Sequence, residues 1–100
     1  MANFRVSASD LKSKADQLRA LNAQFKSETT KLEGQEQSLV SMWEGEAKNT
    51  FDQAFKSDKI QMDNFYNAIE VYAARLESAA VKYSQTENTN TEIAGNRTYR

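Results

Sequence analysis

The sequence predicts an all-α fold, an antiparallel helix–turn–helix hairpin that dimerises into a four-helix bundle. Three observations carry the prediction. The 100 residues contain no proline, so the strongest helix breaker is missing. Apolar residues recur at helical intervals along two long stretches. Between those stretches, near the chain midpoint, stand the only tryptophan, Trp43, and a glycine two residues later, Gly45. Hydrophobic residues make up 39% of the chain and the mean hydropathy is −0.78. That is enough for one apolar face per helix but thin for a globular core, and oligomerisation is a natural way to complete it.

The first helix is expected over about residues 8–40. Ser7 with Asp10 three residues on approximates a capping box, with Asp in place of the usual Glu or Gln. Leu11, Leu18, Phe25, Leu32 and Leu39 then follow at seven-residue intervals, two helical turns each, and lie on one stripe. The companion positions Ala15, Asn22, Thr29 and Glu36 are weakly apolar, so the apolar face is expected to be narrow. Gly34 costs roughly 1 kcal/mol against alanine. The stripe continues in phase across it, and the helix is expected to do the same.

A short turn over about residues 41–46 leads into a second helix, expected over about 46–87. Its ladder runs Phe51, Phe55, Met62, Phe65, Ile69, Tyr72, Leu76, Ala79, Ala80 and Tyr83, and Asp58 is its one polar rung. Steps of three and four fit only a helix. Tyr66, Ala68 and Ala73 widen this face, while Asp52, Lys56, Lys59, Asp63, Glu70 and Glu77 occupy the other side. Ile60 and Val71 also lie there as scattered surface residues. The pattern stops at Asn88, so residues 1–87 form the hairpin and 88–100 are expected to be a flexible polar tail.

A connection this short folds the two helices back antiparallel, with Trp43 at the tip. The narrow stripe of the first helix would then cover only part of the broad face of the second. Leaving large side chains of that face wet forfeits roughly 1.5–3 kcal/mol each. A dimer interface is therefore expected at Phe55, Met62, Phe65, Tyr66, Ile69, Tyr72 and Leu76.

Several function classes lose their support. Formal net charge is −1, from 13 basic and 14 acidic residues, and the signs are interspersed, which does not favour nucleic-acid binding. There is no cysteine and no histidine, so disulfides, thiolate metal sites and the commonest general base are missing. No catalytic triad pattern, phosphate loop or metal-spaced cluster occurs. The chain reads as a non-enzyme with no cofactor and no metal. Glu44 and Glu46 sit where they favour the positive end of the second helix. No segment approaches the ~20 apolar residues of a membrane span, so stable membrane insertion is not expected. Met1 to Val6 carry no apolar run like that of a secretory signal, which alone predicts cytosolic residence.

Trp43-Glu44-Gly45 between two long helices resembles the WXG family, the small helical-hairpin proteins related to the early secreted antigenic target of mycobacteria. Tyr83-Ser84-Gln85-Thr86-Glu87 matches the family's second pattern, a tyrosine followed four residues later by an acidic residue. The likeness extends over essentially the whole chain. It implies export by a type VII (ESX-like) secretion system as a folded dimer, without a cleaved signal peptide, and so changes what the missing signal means. It implies as partners a second copy or a related family chain, and the motor ATPase of the export system. It implies action as a secreted effector or as a carrier of other substrates, with Trp43, Gly45, Tyr83 and Glu87 as recognition residues. Trp43 has a packing reading as well, over the ends of both helices, and the two are compatible. If two hairpins pair antiparallel, Trp43 and Gly45 of one chain meet Tyr83 and Glu87 of the other in one composite surface. Two rival readings use the helices without these motifs: an intracellular helical scaffold, and an amphipathic protein that opens onto membranes.

Overall fold

Two helices lie side by side in an elongated molecule of 84 × 24 × 16 Å. The computed structural model describes the backbone of residues 6–98 and the side chains of residues 6–86. Helix α1 spans Ala8–Ser41 and helix α2 spans Glu46–Thr98, with no strand among the described residues.

Ser7 opens α1 with a complete capping box. Its backbone N–H donates to Asp10 Oδ2 at 3.0 Å, and the Asp10 N–H donates to Ser7 Oγ at 3.1 Å. The two bonds satisfy donors that a helix start leaves without partners. They also hold the Asp10 carboxyl below its ordinary range, the Ser7 N–H contributing most. Gly34 lies within the unbroken α1. At the far end the Met42 N–H reaches the Leu39 carbonyl at 3.0 Å and the Trp43 N–H reaches that of Val40 at 3.3 Å. The chain reverses at Gly45, whose φ of +107° favours glycine because a Cβ would be strained there. The Lys48 N–H then donates to the Gly45 carbonyl at 3.2 Å and starts α2.

The backbone stays helical past Glu87 and through the polar stretch from Asn88 to Thr98, where the sequence predicts a tail. The expected end near residue 87 is therefore corrected. No proline stops the helix, and extending a formed helix costs far less than nucleating one. Side chains from residue 87 onward lie outside the described residues, as do residues 99–100.

The seam between the helices is not the leucine stripe. The buried residues of α1 are Ala15, Asn22, Thr29 and Glu36, the ladder expected to be weak. Opposite them run Asp52, Lys59 and Tyr66, partly covered, then the buried Ala73 and Ala80. Ala15 and Ala73 are both 0% exposed. Small side chains there let the two backbones approach, and polar side chains occupy the rest of the seam.

Asn22 Nδ2 donates to the Tyr66 carbonyl at 3.0 Å and to Glu70 Oε2 at 2.8 Å. Thr29 Oγ1 donates back to the Lys26 carbonyl at 2.9 Å, which satisfies a buried hydroxyl within its own helix. Arg19 pairs with Glu77 and stands 4.0 Å from Glu70. That pairing raises the Arg19 pKa and lowers that of Glu77. Lys26 Nζ sits 4.7 Å from the centre of the Tyr66 ring, a cation–π distance.

Candidate functional site

Apolar side chains of both helices collect on one side of this seam. From α1 come Leu11, Leu18 and Phe25, half-buried, then Leu32 and Leu39, still 47% and 42% exposed. From α2 come the half-buried Phe55, Met62, Ile69 and Leu76, flanked by the exposed Phe51, Phe65 and Tyr72. Phe25 and Phe65 meet edge to face with centroids 5.3 Å apart. Leu18, Leu21, Phe25, Phe65 and Ile69 line a shallow groove across the middle of the face. Leu21 there is 62% exposed.

The expectation that the α1 stripe packs onto part of the broad face of α2 is thus corrected. The two stripes lie next to each other and face the same way. A pair of helices can bury only the ladder that lies between them, and here that ladder is the small and polar one. A single hairpin leaves this apolar surface uncovered.

The predicted interface residues divide accordingly. Phe55, Met62, Phe65, Ile69, Tyr72 and Leu76 all belong to the apolar face. Tyr66 lies on the seam ladder instead, with its carbonyl held by Asn22 and its ring beneath Lys26. Sequence periodicity overlooked the α1 leucines as part of the outward face. The available signal was the companion ladder: its alanine and small polar residues suit close helix approach better than leucine does.

At the tip Trp43 is half-buried, and its ring lies 5.6 Å from that of Phe51 with the planes tilted by 52°. The tryptophan thereby anchors the turn to the first exposed rung of α2. Gly45 follows at the point of reversal, and no atom would lie within 4 Å of an added Cβ. The requirement for glycine there is one of backbone conformation, not of space. Met42, next to the tryptophan, is 76% exposed.

Tyr83 lies on the same ladder as Phe55, Met62, Ile69 and Leu76 and is 42% exposed. The backbone at Glu87 is helical, and its side chain lies outside the described residues. From Gly45 to Tyr83 the rise of 1.5 Å per residue amounts to about 57 Å. A single hairpin therefore keeps Trp43 and Gly45 at one end and Tyr83 near the other.

A further carboxylate cluster lies near the tip, on the polar side of the seam. Glu36 is 6% exposed and its Oε2 has no hydrogen-bond partner. Burial, then the Asp52 carboxyl beside it, raises its pKa. Asp52 is held low, first by Lys56, whose Nζ is 2.9 Å away, and then by Glu36. Among the described residues no group of side chains has the composition to hold a metal ion. No helix among them is long and apolar enough to cross a membrane.

The sequence model of the family described as proteins of 100 residues with WXG (WXG100) matches residues 3–88. Several solved structures share the hairpin. A secreted protein EsxB of Bacillus anthracis strain Sterne, in a selenomethionine form, is 24% identical with a TM-score of 0.76, over 87% of this chain and 99% of that one. A glycine-to-alanine variant of EsxB gives a TM-score of 0.75 at 24% identity, over 86% and 99%. Wild-type EsxB in space group P21 gives 0.73 at 24% identity, over 83% and 89%. At that identity the likeness is one of fold. No curated protein sequence matches the chain.

Proposed function

The chain belongs to the WXG100 family, and on that premise we propose that it is a non-enzymatic protein exported by a type VII (ESX-like) secretion system. It works through protein contacts, as a secreted effector or as a partner in the export of other chains. The observation that carries this reading is the family match over a hairpin whose tip is Trp43-Glu44-Gly45. Support comes from the fold it shares with EsxB, a protein described as secreted, and from the apolar face that one hairpin leaves uncovered.

That face pairs with the face of a second WXG chain to form a four-helix bundle. A bundle built this way buries the leucine and phenylalanine ladders of both hairpins, and each large side chain covered contributes about 1.5–3 kcal/mol. In an antiparallel pair the Trp43 tip of one chain lies beside the Tyr83 end of the other. Trp43 and Gly45 with Tyr83 and Glu87 of the companion chain then form the surface that the motor ATPase reads. Only the assembled pair presents it, so the machinery takes up folded dimers and passes over lone hairpins. Export proceeds without removal of a signal peptide.

The test is to follow the intact chain in cells and in spent medium. Wild type is expected in the medium at its full mass. Tyr83→Ala, Glu87→Ala and Trp43→Ala are expected to remain in the cells while keeping their helical content. Wild-type chain retained in the cytoplasm, or found outside equally well without the motor ATPase, would overturn the proposal and favour an intracellular scaffold.

A further inference from the structure

Asp58 is the one charge on the exposed α2 rungs Phe51, Asp58, Phe65, Tyr72 and Ala79. It is exposed, and it makes no hydrogen bond or ion pair among the described residues of the hairpin. A carboxylate on a surface that is about to be covered needs a donor from whatever covers it.

The arrangement of the ladders indicates where that donor lies. The Phe25–Phe65 ring pair stands at the centre of the face. Leu11 and Leu18 precede it on α1, and Leu32 and Leu39 follow it. On α2, Phe51 and Asp58 precede it, and Tyr72 and Ala79 follow it. Resting on the reading of this face as a pairing surface, we infer that its occupant is a second copy of this chain, related by a two-fold axis through the Phe25–Phe65 pair, with each Asp58 carboxylate accepting a hydrogen bond from the Tyr72 hydroxyl of the other copy.

An axis across the rods lays α1 on α1 and α2 on α2, each pair antiparallel. With the axis at the ring pair, every rung meets a suitable rung. Leu11 lies level with Leu39 and Leu18 with Leu32. Phe51, the largest side chain of its ladder near the tip, lies level with Ala79, the smallest. On the neighbouring ladder Phe55 meets Leu76 and Met62 meets Ile69. Asp58 lies level with Tyr72, which is 53% exposed in the hairpin and free to turn its hydroxyl outward.

A slip of one heptad keeps the leucines paired and ruins the polar rung. In one direction Asp58 comes to face Phe65, in the other Ala79, and neither offers a proton. The carboxylate therefore acts against wrong registers, much as a single buried polar residue does in a coiled coil. It acts equally against a partner chain that lacks a donor at the level of Tyr72, so the same rung sets the choice of partner.

The test measures self-association of the full chain by sedimentation, for wild type, Tyr72→Phe and the double variant Asp58→Leu with Tyr72→Phe. Tyr72→Phe is expected to weaken the dimer by at least about tenfold, because both symmetry-related carboxylates lose their donor. The double variant is expected to regain wild-type affinity or better, since no charge is left to satisfy. The register has its own readout, because the chain contains no cysteine. Copies carrying Phe51→Cys are expected to form a disulfide with copies carrying Ala79→Cys and not with each other. A dimer of unchanged affinity in Tyr72→Phe, or one in which Phe51→Cys copies cross-link to each other, overturns this inference and leaves the pairing reading standing. A wild-type chain that stays monomeric overturns this inference as well and leaves only a related family chain as the companion, whereas a chain that is monomeric both alone and with such a relative overturns the pairing reading itself.

Discussion

The two ladders of α1 differ in a way that inverts the usual expectation about burial. Ala15, Asn22, Thr29 and Glu36 are the buried ones, although two are neutral polar residues and one is an acid. Leu32 and Leu39, on the adjacent ladder, are each more than two-fifths exposed. The contrast shows that burial in a lone hairpin follows the close approach of the helices and not the hydrophobicity of each ladder, and it supports the proposed pairing. Small side chains at the seam allow close approach, and the Asn22 amide donates across it to Glu70 at 2.8 Å, while Glu36 Oε2 is covered without a partner. The greasier ladder, which would give more stabilisation if covered, stays partly exposed in the lone hairpin.

The largest expected effect comes from a charge on the outward ladder. Phe65→Asp puts two like charges near the centre of the paired faces and removes a ring that is 54% exposed in the lone hairpin. Dimer affinity should fall by more than about a hundredfold, seen as a shift to the monomer in sedimentation. Unchanged association would mean that this face is not the contact. The reverse test enlarges the seam. Ala73→Leu, at a position 0% exposed, should destabilise the fold by about 1–3 kcal/mol through overpacking. Denaturant titration reads it, and a neutral result would show that the seam is loose.

A smaller gain is expected outside both ladders. Gly34 lies within α1, and an added Cβ would meet no atom within 4 Å. Gly34→Ala should therefore stabilise the chain by about 0.8–1 kcal/mol through backbone entropy alone. A loss of stability instead would reveal a neighbour on that face of the helix.

The smallest effect concerns pH. Burial and the adjacent Asp52 raise the Glu36 pKa. A raised carboxyl pKa means that the folded state holds the proton more tightly than the unfolded state. The contribution of Glu36 is therefore most favourable below the ordinary glutamate range. It declines as pH rises through the elevated folded value and is at its poorest at neutral pH. Asp52, held low first by Lys56, runs the opposite way and loses its contribution as pH falls through its depressed value. Glu36→Gln should raise the melting temperature at neutral pH, and the advantage should fade on acidification. An advantage that grows in acid would mean that the folded chain does not hold the Glu36 proton more tightly than the unfolded one.

Much of the architecture was legible along the chain. Helix periodicity, the missing proline, the Ser7–Asp10 start and the Trp43-x-Gly45 reversal are all local properties. A hydrogen bond between residues three apart, or a φ of +107° at a glycine, needs only neighbours in sequence to specify it. The Trp43-Glu44-Gly45 motif of the family could likewise be read from residue identities, and so could the wealth of apolar residues on α2.

Which ladder faces which was decided only by the tertiary structure. Periodicity places Leu18 and Asn22 on adjacent lines of one helix, and a rotation of that helix by a fraction of a turn exchanges their surroundings. Hydrophobicity alone would put Leu18 inside. The close approach allowed by Ala15, Ala73 and Ala80, with the bonds from Asn22 to the Tyr66 carbonyl and Glu70, selects the other rotation. Two amphipathic rods and the point where the chain turns back follow from the order of residues alone, because each depends on interactions within a few residues. The rotation of each rod, and with it the face left uncovered, depends on contacts between residues more than forty apart, which only the assembled hairpin brings together.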